Sequence, residues 1–488
     1  MKGQTMHHLT SLARSSWIHA AVLLAIVVCV HAPSSDHFWM VDDPLYVGRN
    51  PNVQGGAEGL RKIWFTLEEN DYLPVTATTF WIEWRFWGED PGGYHRTNVA
   101  LHGLCAVLMW VALRRLRIPG AWWAALLFGV HPVTVASAAW IAERKTILAM
   151  IFSILALLAY LHGRKWSYGA ALALFIVALL SKPVVAMLPA VMLLCLWWLH
   201  GRVTRKEAVM FMPFFAASLL VGMLTIWTQV HHTMANDAVT MPGPVARVAG
   251  AGWALWHYAV QAVLPFAVVP CYPGWQPSDI ARFTPLGSIG LLVLAGFAWP
   301  RRTGWGRPVL FALGAMTALL LPALGFVRAY LLQLSLVWDH WQYPALIVPI
   351  ALAVALLASR LPRWTPALLL PVAFGFAWSA TVHTRVFRDD LAFWTAAIEH
   401  DPRCWQGQCN VGAEYLACHD FEKAEIHLAE AVRLKPTYAI AKSNLAIVYL
   451  HRGHLDEAQR LATEARDTDP RMKAPYKVLA MIAERRPH

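Results

Sequence analysis

Twelve apolar stretches, each close to the ~20 residues that a helix needs to cross a bilayer, occupy most of the first 381 residues of this chain. They lie at 17–33, 97–113, 120–138, 146–161, 167–181, 184–200, 208–228, 249–269, 284–299, 308–327, 343–359 and 365–381. Lipid offers peptide groups no hydrogen-bond partner, so such segments must fold as helices, and the fold class expected is an all-α, polytopic membrane bundle. A chain that is 57% hydrophobic and 15% charged, with 25 tryptophans, is no ordinary soluble enzyme.

The net charge of +11 does not point to nucleic acid, because the basic residues fall in short connections between apolar stretches and not along one face. Lys2 and Arg14, Arg114, Arg115 and Arg117, Arg164 and Lys165, Arg202, Arg205 and Lys206, Arg301, Arg302 and Arg307, and Arg360 and Arg363 all fit one side, the cytoplasm. If all twelve stretches crossed, the basic loop at 300–307 or those before it would face the wrong way. The stretch 249–269 carries His257 and Gln261, is broken by Pro265 and runs into the segment Pro270–Pro277. It is read as re-entrant or packed beside a cavity, leaving about eleven spans with the N-terminus inside and the C-terminus outside. Positions 237, 276 and 440 are then expected to label from the same outer face. Lys2 and Arg14 ahead of an apolar run could mark a secretory signal, but His31-Ala32-Pro33 is a poor cleavage pattern, and the run is read as an anchor. Of the seven cysteines, Cys271, Cys404, Cys409 and Cys418 are placed in an oxidising compartment, where a disulfide of unreadable pairing could form.

From about residue 385 the texture becomes charged and Ala-rich, which divides the chain into a membrane domain, 1–384, and a C-terminal domain, 385–488. The pairs Asp401-Pro402, Lys435-Pro436 and Asp469-Pro470 recur about every 34 residues, the period of a tetratricopeptide-repeat α-solenoid. Gly412, Tyr415, Ala424, Leu428 and Ala431, then Ala446, Tyr449, Gly453, Ala458, Ala462 and Ala465, keep that register and would let paired helices approach closely. Roughly two full repeats with incomplete ends are expected, serving either as a peptide-binding surface or as a cap over the membrane domain.

The chemistry is expected on the outer face. Asp42 and Asp43 follow the first span at once, and carboxylates at a lipid boundary are costly unless solvated, paired or used. A solvated loop end or a helix N-cap is the plainer alternative. His131-Pro132 and Glu143-Arg144-Lys145 lie in the connection between the third and fourth spans, and Ser181-Lys182-Pro183 brings another outer cation. Arg by its fork and Lys as a mobile point charge suit a lipid-linked phosphate, whereas interfacial snorkelling with Glu143 as partner would need no ligand. Asp339-His340 precedes the tenth span, and His95, Arg96, Asn98 and His102 open the second. No metal-ligand spacing stands out; a divalent ion, if one takes part, would be held by Asp42 or Asp43 with phosphate oxygens.

Val41-Asp-Asp-Pro-Leu-Tyr46, Arg49-Asn-Pro-Asn52, Tyr94-His-Arg-Thr-Asn98 with Leu101-His102, His131-Pro132, Ala142-Glu-Arg-Lys145 and Ser181-Lys-Pro183, followed by terminal repeats, form an ordered set. The set resembles the transmembrane and tetratricopeptide-repeat-containing O-mannosyltransferase family and its bacterial relatives, across nearly the whole chain. The resemblance implies a C-type glycosyltransferase whose donor sugar is carried on a polyprenyl phosphate. It implies that Asp42 is the general base for the acceptor hydroxyl and that Asp43 positions substrate or supports Asp42. Arg144, Lys145 and Lys182 would bind the donor phosphate, and His95, His102, His131, Glu143, Asp339 and His340 would line the site. Two stretches, Tyr72-Leu-Pro-Val-Thr76 and Trp338-Asp-His-Trp341, depart from the family's pattern and leave the acceptor and the sugar open.

The function expected is transfer of one sugar, with inversion, to an extracytoplasmic acceptor, a protein hydroxyl or a glycan, from the inner membrane of a bacterium. A ligase or polymerase acting on lipid-linked glycans is a second enzymatic reading. A non-catalytic scaffold that anchors the repeats for envelope assembly is a third; it would need the repeats but tolerate loss of Asp42, whereas the ligase or polymerase would lean on Arg and His more than on an Asp pair.

Overall fold

The computed structural model describes residues 2–67, 69, 71–233, 242–265, 268–270, 272, 275, 284–328 and 330–485, with side chains from residue 16 onward except 232, 233, 330 and 333. Positions 237, 271 and 276, named above for labelling and thiol chemistry, lie outside them. Among the described residues the chain is helical, with no strand. Seven helices are long and apolar enough to cross a membrane: Ser16–Asp36, Pro91–Arg115, Ile141–His162, Pro183–His200, Arg205–His231, Gly306–Ala323 and Thr365–Phe387. Shorter apolar helices cover Lys165–Ser181, Leu286–Arg301 and Ile347–Arg360. The protein is a multi-pass membrane protein.

The apolar stretch 120–138, read above as one span, is two helices, Ala121–Gly129 and Pro132–Ala139, bent by 52° where His131-Pro132 interrupts them. Proline removes a donor and disfavours helical geometry in the residue before it, and His131 is accordingly extended, at φ −72° and ψ 134°. The stretch 249–269 is also shorter as a helix than as an apolar run: the helix is Pro244–Gln261, and it is not among the seven.

The bundle packs on small residues. A β-carbon on Gly129 would lie 2.4 Å from Val27, and one on Gly103 would lie 2.6 Å from Leu24, so the first span can approach its two neighbours only because both positions are glycine. Leu23, Val27, Cys105, Phe128, Tyr343 and Ile350 centre one buried cluster, and Phe175, Met192, Phe214 and Ala315 belong to another.

Between the first and second spans the chain forms a subassembly of short helices, Pro51–Gln54, Ala57–Phe65 and Pro74–Trp87. Asn50 caps the first of these by accepting from the amides of Asn52 and Val53, at 2.9 and 3.2 Å. The C-terminal residues form six helices, Asp390–His400, Trp405–Ala417, Phe421–Leu434, Ala439–Arg452, Leu455–Thr468 and Lys473–Arg485, each packed on its chain neighbours. Ala424, Leu428, Ala431, Ala446, Ala458, Ala462 and Ala465 are fully buried between them. Cys409 and Cys418 are thiols, one buried and one exposed.

With the basic loops on one side, a cysteine-depleted variant carrying Ile440→Cys, a position 44% exposed, should label with a membrane-impermeant thiol reagent from outside. Gly304→Cys, in the loop of Arg301 and Arg302, should label only after permeabilisation. Labelling of both from one side would refute the orientation.

Candidate active site

Asp43 is the fixed member of the acidic pair. Its side chain is fully buried; Oδ2 accepts from the Met40 amide at 3.1 Å, and Oδ1 accepts from the Ala142 amide at 2.7 Å. One carboxylate thus ties the turn after the first span to the backbone that opens the Ile141–His162 span. Burial, then the like charge of Asp42, hold the Asp43 carboxyl well above the ordinary carboxylate range.

Asp42 is differently placed. Its side chain is 27% exposed, Oδ2 lies 3.5 Å from Lys145 Nζ, and Oδ1 has no partner. Burial raises the Asp42 carboxyl while Lys145 pulls it back down. Of the two, Asp42 alone has an oxygen, itself buried, with no hydrogen-bond partner.

Lys145 sits at the meeting point of the acidic groups. Its ammonium is 3.5 Å from both Asp42 and Glu143, 3.4 Å from the Tyr46 hydroxyl and 4.4 Å from the centre of the Tyr46 ring. Tyr46 in turn donates to Asp71 at 2.6 Å. Lys182 is more tightly held: it donates to Glu143 at 2.9 and 3.1 Å and to the Thr146 hydroxyl at 2.8 Å, which uses its three protons. Burial lowers the Lys182 ammonium, with Glu143 pushing back. Glu143 therefore spans the two lysines and fixes their separation. Lys145, with only long contacts, is the cation readiest to turn toward an arriving anion.

Arg144 points away from this cluster. Its guanidinium is fully buried, with Nε donating to Asn98 Oδ1 at 2.7 Å, Nη2 to the Tyr94 carbonyl at 3.0 Å, Nη1 paired with Glu83, and its face over the Phe80 ring. It joins three helices, Pro74–Trp87, Pro91–Arg115 and Arg144–His162, and has no open fork for phosphate. Helical geometry separates it from Lys145, since adjacent residues do not share a face.

The other expected lining groups divide likewise. His340 is buried, edge-on to Trp140 at 5.6 Å, and lies in the field of Glu143, Lys182 and Lys145; burial lowers its imidazole to about 3. Asp339 accepts from Gln261 Nε2 at 3.2 Å, from the Tyr272 hydroxyl at 2.8 Å and from the Val269 amide at 3.1 Å. Burial raises Asp339 to about 7, against those donors. It anchors the end of the 249–269 stretch. His102 contacts the Tyr343 hydroxyl at 2.8 Å and the Gly129 carbonyl at 3.0 Å inside the helix core. His131 Nδ1 accepts from the Val133 amide at 3.2 Å, capping the second half of the bent pair, and His95 is buried edge-on to His37 at 5.7 Å. The structure thus brings together Asp42, Lys145, Glu143, Lys182 and His340, and sets Arg144, His102, His131 and Asp339 to holding helices in place.

Among the described residues no group of three or more His, Cys, Asp or Glu is placed to hold a metal. In the acidic pair each Asp43 oxygen already accepts from a backbone amide, whereas Asp42 Oδ1 has no partner.

Tyr46, Asp71, Glu83 and Thr146 are site or supporting residues that sequence reasoning passed over. Glu83 had a signal, a lone carboxylate in an aromatic helix; Asp71 had none, since only folding of its loop brings it to Tyr46.

Over 150 residues the chain is 29% identical to protein O-mannosyl-transferase F38B6.6 of Caenorhabditis elegans, covering 29% of this chain and 22% of that protein. It is 31% identical over 156 residues to protein O-mannosyl-transferase TMTC1 of Homo sapiens, covering 29% and 18%. With protein O-mannosyl-transferase tmtc2 of Xenopus laevis it shares 33% over 92 residues, covering 18% and 11%. The chain is a relative of the TMTC protein O-mannosyl-transferases. The matches support the resemblance to this family, but they cover 18–29% of this chain, not nearly all of it, and about a fifth or less of the length of these TMTC relatives. No family model matches the chain.

Arg144→Lys should lower the apparent melting temperature of the detergent-solubilised protein. Lysine cannot serve Asn98, Tyr94 and Glu83 together, and each buried acceptor left unmet costs about 1–3 kcal/mol. A raised KM for the lipid donor at an unchanged melting temperature would return Arg144 to the phosphate site.

Proposed function

We propose that the protein transfers a sugar from a polyprenyl-phosphate donor to the hydroxyl of an extracytoplasmic protein acceptor, with Asp42 as general base. The observation that carries this reading is the unpartnered Asp42 Oδ1 beside Lys145, in a site whose other acidic groups are tied to amides or cations. The names of the relatives indicate mannose as the sugar and a protein as the acceptor. Read with the basic loops in the cytoplasm, the protein would sit in the inner membrane of a bacterium with Asp42, Lys145, Lys182 and the C-terminal helices outside, where the array would present the acceptor.

Asp42 Oδ1 takes the proton of the attacking hydroxyl as the new glycosidic bond forms at the anomeric carbon. The bond from that carbon to the phosphate oxygen breaks, and polyprenyl phosphate leaves with the electron pair. Attack from the face opposite the phosphate inverts the anomeric centre. Lys145 and Lys182 stabilise the charge growing on the departing phosphate, while Glu143 keeps them apart and in place. A raised carboxyl suits the base, because basicity rises with pKa.

An apolar cavity supports a lipid donor. It is lined by Met109, Met150, Val185, Leu188, Ala315 and Ile347 and extends to Leu116, Trp198 and Pro308 beside the basic connections, which leaves room for isoprenyl units within the bundle.

Asp42→Asn should leave the protein inserted and abundant but reduce turnover by about 10²–10⁴, the range of a lost general base. A base must be ionised, so parental turnover should fall as pH drops through a pKa displaced above the usual carboxylate range. Parental turnover in purified Asp42→Asn, or loss of envelope assembly with intact glycans in a deletion strain, would favour a scaffold.

Asp43→Asn sets an amide NH₂ against one of two backbone donors, so it should cost about 1–3 kcal/mol of stability as well as activity. Thermal melting of both variants separates the roles: Asp42→Asn should melt near the parent and Asp43→Asn below it.

A further inference from the structure

The residue before the proposed base has a backbone that its side chain disfavours. Val41 has φ +48°, one of three non-glycine residues in the left-handed region among the described residues. A β-branched residue there is an outlier, since its branched β-carbon crowds the following carbonyl. The turn closes through Asp43 N–H donating to the Met40 carbonyl at 2.9 Å, with Val41 and Asp42 at its corner. The dihedrals of Val41 therefore set the direction of Asp42.

What holds this corner comes from the far end of the chain. The Val41 amide donates to Asp390 Oδ1 at 2.7 Å, across 349 residues, and the Phe38 amide donates to the Arg388 carbonyl at 2.9 Å. Asp390 opens the first helix of the C-terminal array, whose N-cap is Asp389, accepting from the Ala392 amide at 2.7 Å. Because Asp389 provides that cap, the Asp390 carboxylate is left to receive Val41.

We infer that Asp390 is a positioning residue of the reaction centre: by accepting the Val41 N–H it holds the left-handed corner that aims the Asp42 carboxylate, and so makes the C-terminal array part of the site. This rests on the reading of Asp42 as the base. Neither the array's period nor the motifs of the membrane domain assign Asp390 such a role.

The test uses the full-length protein in nanodiscs, with Asp390→Ala, Asp390→Asn, Val41→Gly and the Val41→Gly/Asp390→Ala pair. Glycine adopts positive φ without strain, so it should dispense with the holder. Two readouts are taken: hydrogen exchange of the peptide covering 37–46, and transfer from polyprenyl-phosphate mannose to the acceptor proteins of a deletion strain's envelope. Asp390→Ala should speed exchange in 37–46 while the helices from Trp405 onward keep their protection. It should lower kcat about tenfold at constant donor KM, the order of one left-handed L-residue's penalty. Asp390→Asn keeps an acceptor oxygen and should match the parent, and Val41→Gly in the Asp390→Ala background should restore kcat. Unchanged exchange in Asp390→Ala, or a kcat loss that Val41→Gly does not repair, overturns the inference. If the parent transfers no sugar, the reading of the reaction fails, and the exchange measurement still decides whether Asp390 holds the corner.

Discussion

The backbone from Trp140 to Ala142 is buried between a bent helix and the start of a span, where the 3₁₀ turn Ile141–Glu143 meets only part of its polar groups, the Trp140 carbonyl accepting from the Glu143 amide at 3.1 Å. Buried polar backbone must be paired, and side chains complete the pairing. Asn98 donates to the Trp140 and Ile141 carbonyls at 3.0 and 3.2 Å, and Asp43 accepts from the Ala142 amide at 2.7 Å. The same Asn98 accepts from Arg144, and the same Asp43 accepts from Met40. Two polar side chains therefore fix three things at once: the break in the bundle, the direction of Arg144, and the turn that carries Asp42. The site exists because these bonds bring the end of the first span against the opening of the fourth.

Once that junction is set, the charges separate by helical geometry into two groups. Glu143, Lys145 and Thr146 face Lys182 and Asp42, while Arg144 faces Glu83 and Asn98. The buried Arg144 is matched by acceptors and contributes rigidity; a charge left unpaired there would be strongly destabilising. On the facing side the pairing is incomplete, with Lys145 at 3.5 Å from each carboxylate and one Asp42 oxygen unpaired. Incomplete pairing among the charged groups sets this cluster apart from a structural ion cluster and makes it the candidate site.

The sequence carried the helical membrane architecture, the basic connections and the residues of the central cluster, because span length, charge placement and motif order are local properties. It also marked the small residues that are buried between the C-terminal helices. It could not separate Asp42 from Asp43, since the difference lies in two amides supplied by Met40 and by residues about a hundred positions away. It grouped Arg144 with Lys145 for the same reason: adjacency in a motif conceals the turn of about 100° that parts neighbours on a helix. The bend at His131-Pro132 was visible as a proline, but its meaning, an end to one helix close to the site, depended on Asn98 and Asp43 meeting the freed backbone.

Every element of the cluster sits where a helix begins, ends or is broken. Lys182 is the residue between Lys165–Ser181 and the turn that begins Pro183–His200, Glu143 ends a single 3₁₀ turn, and Asp42 follows the first span through a strained corner. Side chains in the middle of a span would have to be buried against lipid or helix, where an unmatched charge is costly; at the ends they can be part exposed, as Asp42 and Lys182 are at 27% and 16%. The bundle below can then stay apolar while the charge cluster is partly exposed. The division between buried cavity and open charge cluster is thus a consequence of where the helices stop, and the residues that stop them, Pro132, Pro183 and the Val41 corner, shape the site as much as the groups that would touch substrate.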